Sequence, residues 1–159
     1  MSDIPLPSTL ESWDQAMERA LVQARMAGAM GEVPVGAVVY GPDGRVLSEA
    51  CNAPIALNDP TAHAEIIALR RAADALNNYR LTGCVVVCTL ESCLMCVGAM
   101  IHARVAGLVF GASDPKSGAV VSRLDAASLD FVNHRLTSMG GVMADQCGDL
   151  LRDFFRDRR

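Results

Sequence analysis

The order of apolar patterns along this chain predicts an α/β fold, a three-layer α/β/α sandwich around a mixed sheet of about five strands. Three observations carry that expectation. An amphipathic segment opens the chain, a β-rich hairpin follows it, and strand patterns then alternate with helix patterns. Hairpin strands are antiparallel, whereas strands joined through helices run parallel, so both senses meet in one sheet.

Each element can be justified in turn. From Trp13 to Ala29, residues Trp13, Met17, Ala20, Leu21 and Ala24 recur at the spacing of one helical face, and Gly28 and Gly31 mark the stop. Val33 to Tyr40 and Val46 to Cys51 are β-rich runs around the turn sequence GPDG. Residues 52–60, with two prolines and two asparagines, read as a loop. The next helix is expected to start near Pro60–Thr61, with Asp59 or Thr61 as its cap, and to run through Ile66, Ile67, Leu69 and Ala73. Cys84 to Thr89 reads as a third strand, Ser92 to about His102 as a short helix, and Val105 to Gly111 as a fourth strand. Residues 112–133 look irregular, Arg135 to Met139 suggests a fifth strand, and residues 142–157 form a closing helix with Leu150, Leu151 and Phe154 on its apolar side. No repeat or linker divides the chain, so residues 1–159 are expected to form one domain with about ten flexible residues at the start.

Composition narrows the class. Hydrophobic residues make up 51% and charged residues 20%, which suits a globular chain rather than a disordered one. No apolar run approaches the roughly 18 residues of a membrane span. The start, MSDIPLPSTLESWDQ, lacks the pattern of a secretory signal, so a cytoplasmic address is the expectation. Reduced thiols are then expected for the six cysteines. Cys51, Cys84, Cys88 and Cys147 read as small apolar residues, and only Cys93 and Cys96 have ligand spacing. The net charge of −4 argues against non-specific binding of long nucleic acid and leaves room only for a local basic patch.

Two segments bear chemistry, Thr61-Ala62-His63-Ala64-Glu65 at a helix start and Thr89-Leu90-Glu91-Ser92-Cys93-Leu94-Met95-Cys96 where a strand passes into a helix. Each alone is weak, since a lone His is usually a surface group and a single C-x-x-C has several uses. Together they offer a Cys₂His set at two helix N-termini, whose positive ends favour thiolates. Three protein ligands leave a tetrahedral zinc one open position, the arrangement that activates water. Zinc is preferred over other thiophilic metals because the donors are soft and the chemistry needs no redox change. Glu65 lies two residues from His63, nearly opposite in mid-helix, so both must sit in the first turn to serve one site.

These motifs resemble the cytidine deaminase superfamily. The wider match is with bacterial tRNA-specific adenosine deaminases, through EVPVGAVV, DPTAHAEI, NYRL, TLE-x-C-x-MC-x-GAMIH, VFGA-x-D-x-K-x-G, NHR and DFFR, which together cover the chain from about residue 32 onward. The resemblance implies a cytidine deaminase-like fold and one Zn²⁺ per subunit held by His63, Cys93 and Cys96. It implies Glu65 as the proton shuttle in hydrolysis of adenosine to inosine at the wobble position of a tRNA anticodon. It further implies that Asn52 hydrogen-bonds the flipped base, that Val33 packs on it, and that the Ala64 N–H binds the oxygen at the reacting carbon. By the same matching, Asp114 and Lys116 lie near the RNA, and Phe155 and Arg156 belong to a tail against it. Such enzymes resemble homodimers that bind an anticodon stem-loop. The family usually has Pro where this chain has Ser92; serine is a good N-cap, so no ligand is lost and only a less rigid lip is expected.

Simpler readings stand beside these. Asn52 by type alone suits a turn, and His102 and His134 read as structural or surface residues. Met95 and Met100 read as core filling, and Arg70, Arg71 and Arg80 as a solvated helix face. Two other functions compete with tRNA editing. One is deamination of a free base or nucleoside such as guanine or cytosine; the other is a zinc-stabilised binding subunit, which the presence of Glu65 disfavours.

Overall fold

The computed structural model describes residues 3–159, and Met1 and Ser2 lie outside the described residues. In chain order the elements are α1 (Trp13–Ala29), β1 (Gly36–Tyr40), β2 (Val46–Cys51), α2 (Pro54–Leu57), α3 (Ala64–Leu76), β3 (Val85–Leu90), α4 (Leu94–Ala103), β4 (Gly107–Ala112), β5 (Thr137–Met139) and α5 (Ala144–Arg156). A 3₁₀ turn at Ala126–Ser128 interrupts the irregular stretch before β5. The five strands form one sheet in the order β2-β1-β3-β4-β5. β1 runs antiparallel to both β2 and β3, whereas β3, β4 and β5 are mutually parallel.

Strand periodicity sorts the core into two halves. Ala37, Val39, Val86, Cys88, Leu108 and Phe110 point to one face, where α3 and α4 cover them. Val38, Tyr40, Val85, Val87 and Val109 point to the other, against α1 and Cys147 of α5. The central strands are thus buried on both sides, which explains why they read as unbroken apolar runs. Among the described residues no helix is long and apolar enough to cross a membrane.

Helix α1 lies close to β1 because residue 36 has no side chain. A Cβ on Gly36 would fall 2.0 Å from the Ala20 carbonyl oxygen and 2.6 Å from the Ala24 nitrogen, both backbone atoms of α1. Gly36→Ala should therefore cost about 1–3 kcal/mol, the usual penalty of overpacking, seen as a lowered Tm in calorimetry. A Tm equal to that of the wild type would show that the helix can move away at no cost.

Several boundaries depart from the expected ones. Residues 3–10, expected to be flexible, lie on the body: Pro7 is buried, Ile4 packs in the α1-side core, and the Thr9 hydroxyl donates to the Gly44 carbonyl at 2.6 Å. The loop 52–60 contains the single turn α2. Helix α3 begins at Ala64 instead of Pro60–Thr61, because Asp59 serves its own turn, accepting from the Thr61 N–H (2.8 Å) and hydroxyl (2.7 Å). Helix α4 begins at Leu94 with Cys93 at the cap position, so Ser92 is not its cap. Ser92 is buried, with its hydroxyl 3.6 Å from the Cys88 sulfur. Arg80 lies beyond α3, beside the Tyr79 ring, and not on a helix face.

Candidate active site

His63 and Cys93 hold the N-cap positions of α3 and α4, both with extended backbone, and neither side chain makes a capping bond. Both turn instead to one point. His63 Nδ1 is 3.6 Å from Cys93 Sγ and 3.6 Å from Cys96 Sγ, and the two sulfurs are 3.7 Å apart. A tetrahedral zinc with bonds of about 2.3 Å to sulfur and about 2.1 Å to nitrogen places sulfurs about 3.8 Å apart and each about 3.6 Å from the nitrogen. The observed triangle fits that ion. Among the described residues no other His, Cys, Asp or Glu joins the group, so this set would supply three protein donors.

Only one of the two thiols is poised as a thiolate before an ion arrives. Donation from Cys96, assisted by His63, outweighs burial and holds the Cys93 thiol down at about 4. The Cys96 thiol is raised by that same bond and by burial. Cys84 and Cys147, by contrast, are pushed up to about 11 by burial and behave as apolar side chains. All six cysteines are free thiols. His102 lies in the last turn of α4, and His134 Nε2 lies 2.6 Å from the Val105 carbonyl; neither belongs to the donor group.

Glu65 is the second residue of α3, so the geometric demand of its spacing is met: His63 precedes the helix and Glu65 sits in its first turn. Its carboxyl is 3% exposed, and burial raises its pKa while the Cys96 thiol and the His63 charge oppose the rise. A carboxyl raised towards neutrality can accept a proton and return it.

Asn52 lies where β2 ends, and its Oδ1 accepts the Ala64 N–H at 2.8 Å. This corrects one expectation. The Ala64 N–H is occupied by Asn52, and Ala64 is fully buried, so it does not present a donor to a substrate oxygen. Because the oxygen of Asn52 faces an N–H, its amide nitrogen is the end left for the pocket. Asn52, Val33, Val35, His63, Glu65, Leu90, Glu91, Cys93, Asp114 and Ser117 line a cavity of about 210 Å³. That is below the roughly 300 Å³ at which pockets for drug-sized ligands begin, and it suits a single heterocycle. It opens at the C-terminal ends of β3 and β4, beside the strand where the sheet changes sense.

The residues expected at the RNA are placed unevenly. Asp114 lines the pocket, while its carboxylate accepts the N–H groups of Lys116 (3.0 Å) and Ser117 (3.3 Å) and the Ser117 hydroxyl (2.9 Å). Lys116 is exposed beside it. Phe155 is half exposed, edge-on to Phe154, and Arg156 pairs with Asp153 and Asp157; neither lines the pocket.

Sequence reasoning passed over Glu91, which figured only inside a motif. It is 2% exposed and accepts from Asp114, Val120, Val121 and Ser122. Burial opposes its charge, but the Ser122 hydroxyl and these N–H groups prevail and lower it to about 2. The signal was available: a carboxylate between a buried strand and a metal ligand needs partners.

Comparison with known proteins agrees with this geometry. Residues 10–112 match the cytidine and deoxycytidylate deaminase zinc-binding region. A tRNA-specific adenosine deaminase of Haemophilus influenzae is 46% identical over 146 residues, which is 92% of this chain and 84% of that protein. A tRNA(Ile)-lysidine synthase of Deinococcus deserti is 47% identical over 92% of this chain, which spans only 27% of that longer protein. A solved structure from work on A-to-I editing by tRNA:A34 deaminases superposes with a TM-score of 0.83 at 44% identity, covering 85% of this chain and 97% of its own. The residues that gather around the donor triangle lie within or beside the matched region, and the chain belongs to the zinc-dependent cytidine and deoxycytidylate deaminase family, in its tRNA-specific adenosine deaminase branch.

Proposed function

We propose that this protein hydrolyses adenosine to inosine at the wobble position of a tRNA anticodon and releases ammonia. The observation that supports the chemistry most directly is the His63–Cys93–Cys96 triangle beside the buried carboxyl of Glu65. Zinc held by this set supplies Lewis-acid activation of water. Glu65 accepts the proton of the attacking water, delivers it to N1 of the ring, and assists departure of the exocyclic amine. A C6–O bond forms, the C6–N6 bond breaks, and no electron is transferred. Asn52 offers its amide N–H to a ring acceptor, and Val33 packs on the face of the base. A base must leave its stack to enter so small a pocket, which favours an unpaired loop as substrate.

The tRNA assignment draws on the relatives' activity and on Asp114 and Lys116 at the pocket rim, with Phe155 and Arg156 as further RNA contacts. Two copies are proposed to pair, and the open apolar groove between α3 and α4, lined by Ile66, Leu69, Met95 and Ala99, offers surface for that purpose. Incubation of the zinc-loaded protein with a synthetic anticodon hairpin should yield inosine, and the same preparation should show twice the 16.9 kDa chain mass in light scattering. Ammonia released only from free guanine or cytosine would replace the tRNA reading with that of a free-base deaminase.

A further inference from the structure

Glu91 places a buried charge between the end of β3 and the first metal-binding cysteine. Every hydrogen bond it accepts comes from one segment, residues 114–122. Oε1 accepts the N–H groups of Val120 (3.1 Å), Val121 (2.8 Å) and Ser122 (2.9 Å). Oε2 accepts the Asp114 N–H (2.9 Å) and the Ser122 hydroxyl. Two further ties join the same partners: Ala119 N–H donates to the Ser92 carbonyl at 2.9 Å, and Gly118 bridges to Cys93. A Cβ on Gly118 would fall 2.3 Å from the carboxyl carbon of Glu91, so only glycine lets the segment close over the charge. Asp114 and Ser117 of this segment line the pocket, as does Glu91 itself.

We infer that Glu91 is a positioning residue for substrate binding, holding segment 114–122 as the rim that grips the target base, while proton transfer belongs to Glu65. The assignment rests on the proposed nucleobase chemistry of the pocket. Glutamine distinguishes it from a general structural role. A Gln at this position keeps one oxygen for the three N–H groups of residues 120–122 but turns an NH₂ towards the Asp114 N–H. Two donors then oppose each other, and the Asp114 end of the rim is released.

The experiment compares wild type, Glu91→Gln and Gly118→Ala by steady-state kinetics on the anticodon hairpin, zinc content, and amide hydrogen exchange. Loss of the charge-assisted bonds at the Asp114 end should raise KM about tenfold or more. kcat should fall by less, zinc should stay at one per chain, and exchange should accelerate in residues 114–122. An unchanged KM would overturn the inference, as would a loss of kcat together with zinc, which would make Glu91 a brace for the metal helix. If Glu91→Gln does not fold, Gly118→Ala, which keeps the carboxylate, gives the same reading. A wild-type protein inactive on the hairpin would overturn the proposed function instead. Exchange would still decide the rim, with acceleration at residues 114–122 supporting it and unchanged rates overturning it.

Discussion

Replacing Glu65 with Gln should lower kcat on the anticodon hairpin by about 10²–10⁴-fold while zinc remains at one per chain, because a positioned general acid–base contributes that much. Glu65 is not among the three donors, so its removal leaves the triangle complete. The amide matches the carboxyl in volume, so the packing around a side chain that is 3% exposed is kept and only the proton acceptor is lost. A fall in kcat with little change in KM would place the loss in the transition state. Metal analysis alongside the kinetics separates this from site collapse, and turnover within a few-fold of wild type would remove Glu65 from the mechanism.

Cys96→Ala should abolish turnover by a different route. Cys96 is fully buried in the first turn of α4, and its sulfur closes the triangle with Cys93 and His63. Two remaining donors cannot enforce a three-ligand tetrahedral site, so zinc should fall well below one per chain. The Lewis-acid contribution of several kcal/mol then disappears, a loss of about 10³-fold or more in kcat/KM. Metal binding adds to stability whatever the folded state gains over the unfolded one. Tm should therefore drop on substitution, and added zinc should restore little of it, whereas it should restore most of what a chelator removes from wild type. Full zinc occupancy in Cys96→Ala would show that the three-donor account is wrong.

The sequence made the helical and strand patterns legible where local periodicity is strong. The limits of α1 and β2 coincide with their apolar spacing, and the unbroken apolar run from Val85 to Cys88 suits a strand buried on both faces. Helix starts were less legible because Asp59-Pro60 imitates a cap and first turn. Its carboxylate instead holds Thr61 in a separate turn, and the helix begins only after His63, whose backbone is extended. The donor set could be read because its residue types and spacings are local. The Asn52–Ala64 bond and the grip of Glu91 on residues 114–122 are long-range contacts that no spacing records. Ser92 was assigned a cap role on residue type, yet its hydroxyl lies inward against Cys88.

The residues that immediately precede α3 and α4 turn their side chains to one another. An ion held by these residues would also tie the starts of two helices together, and stripping it should loosen their opening turns as well as silence the chemistry.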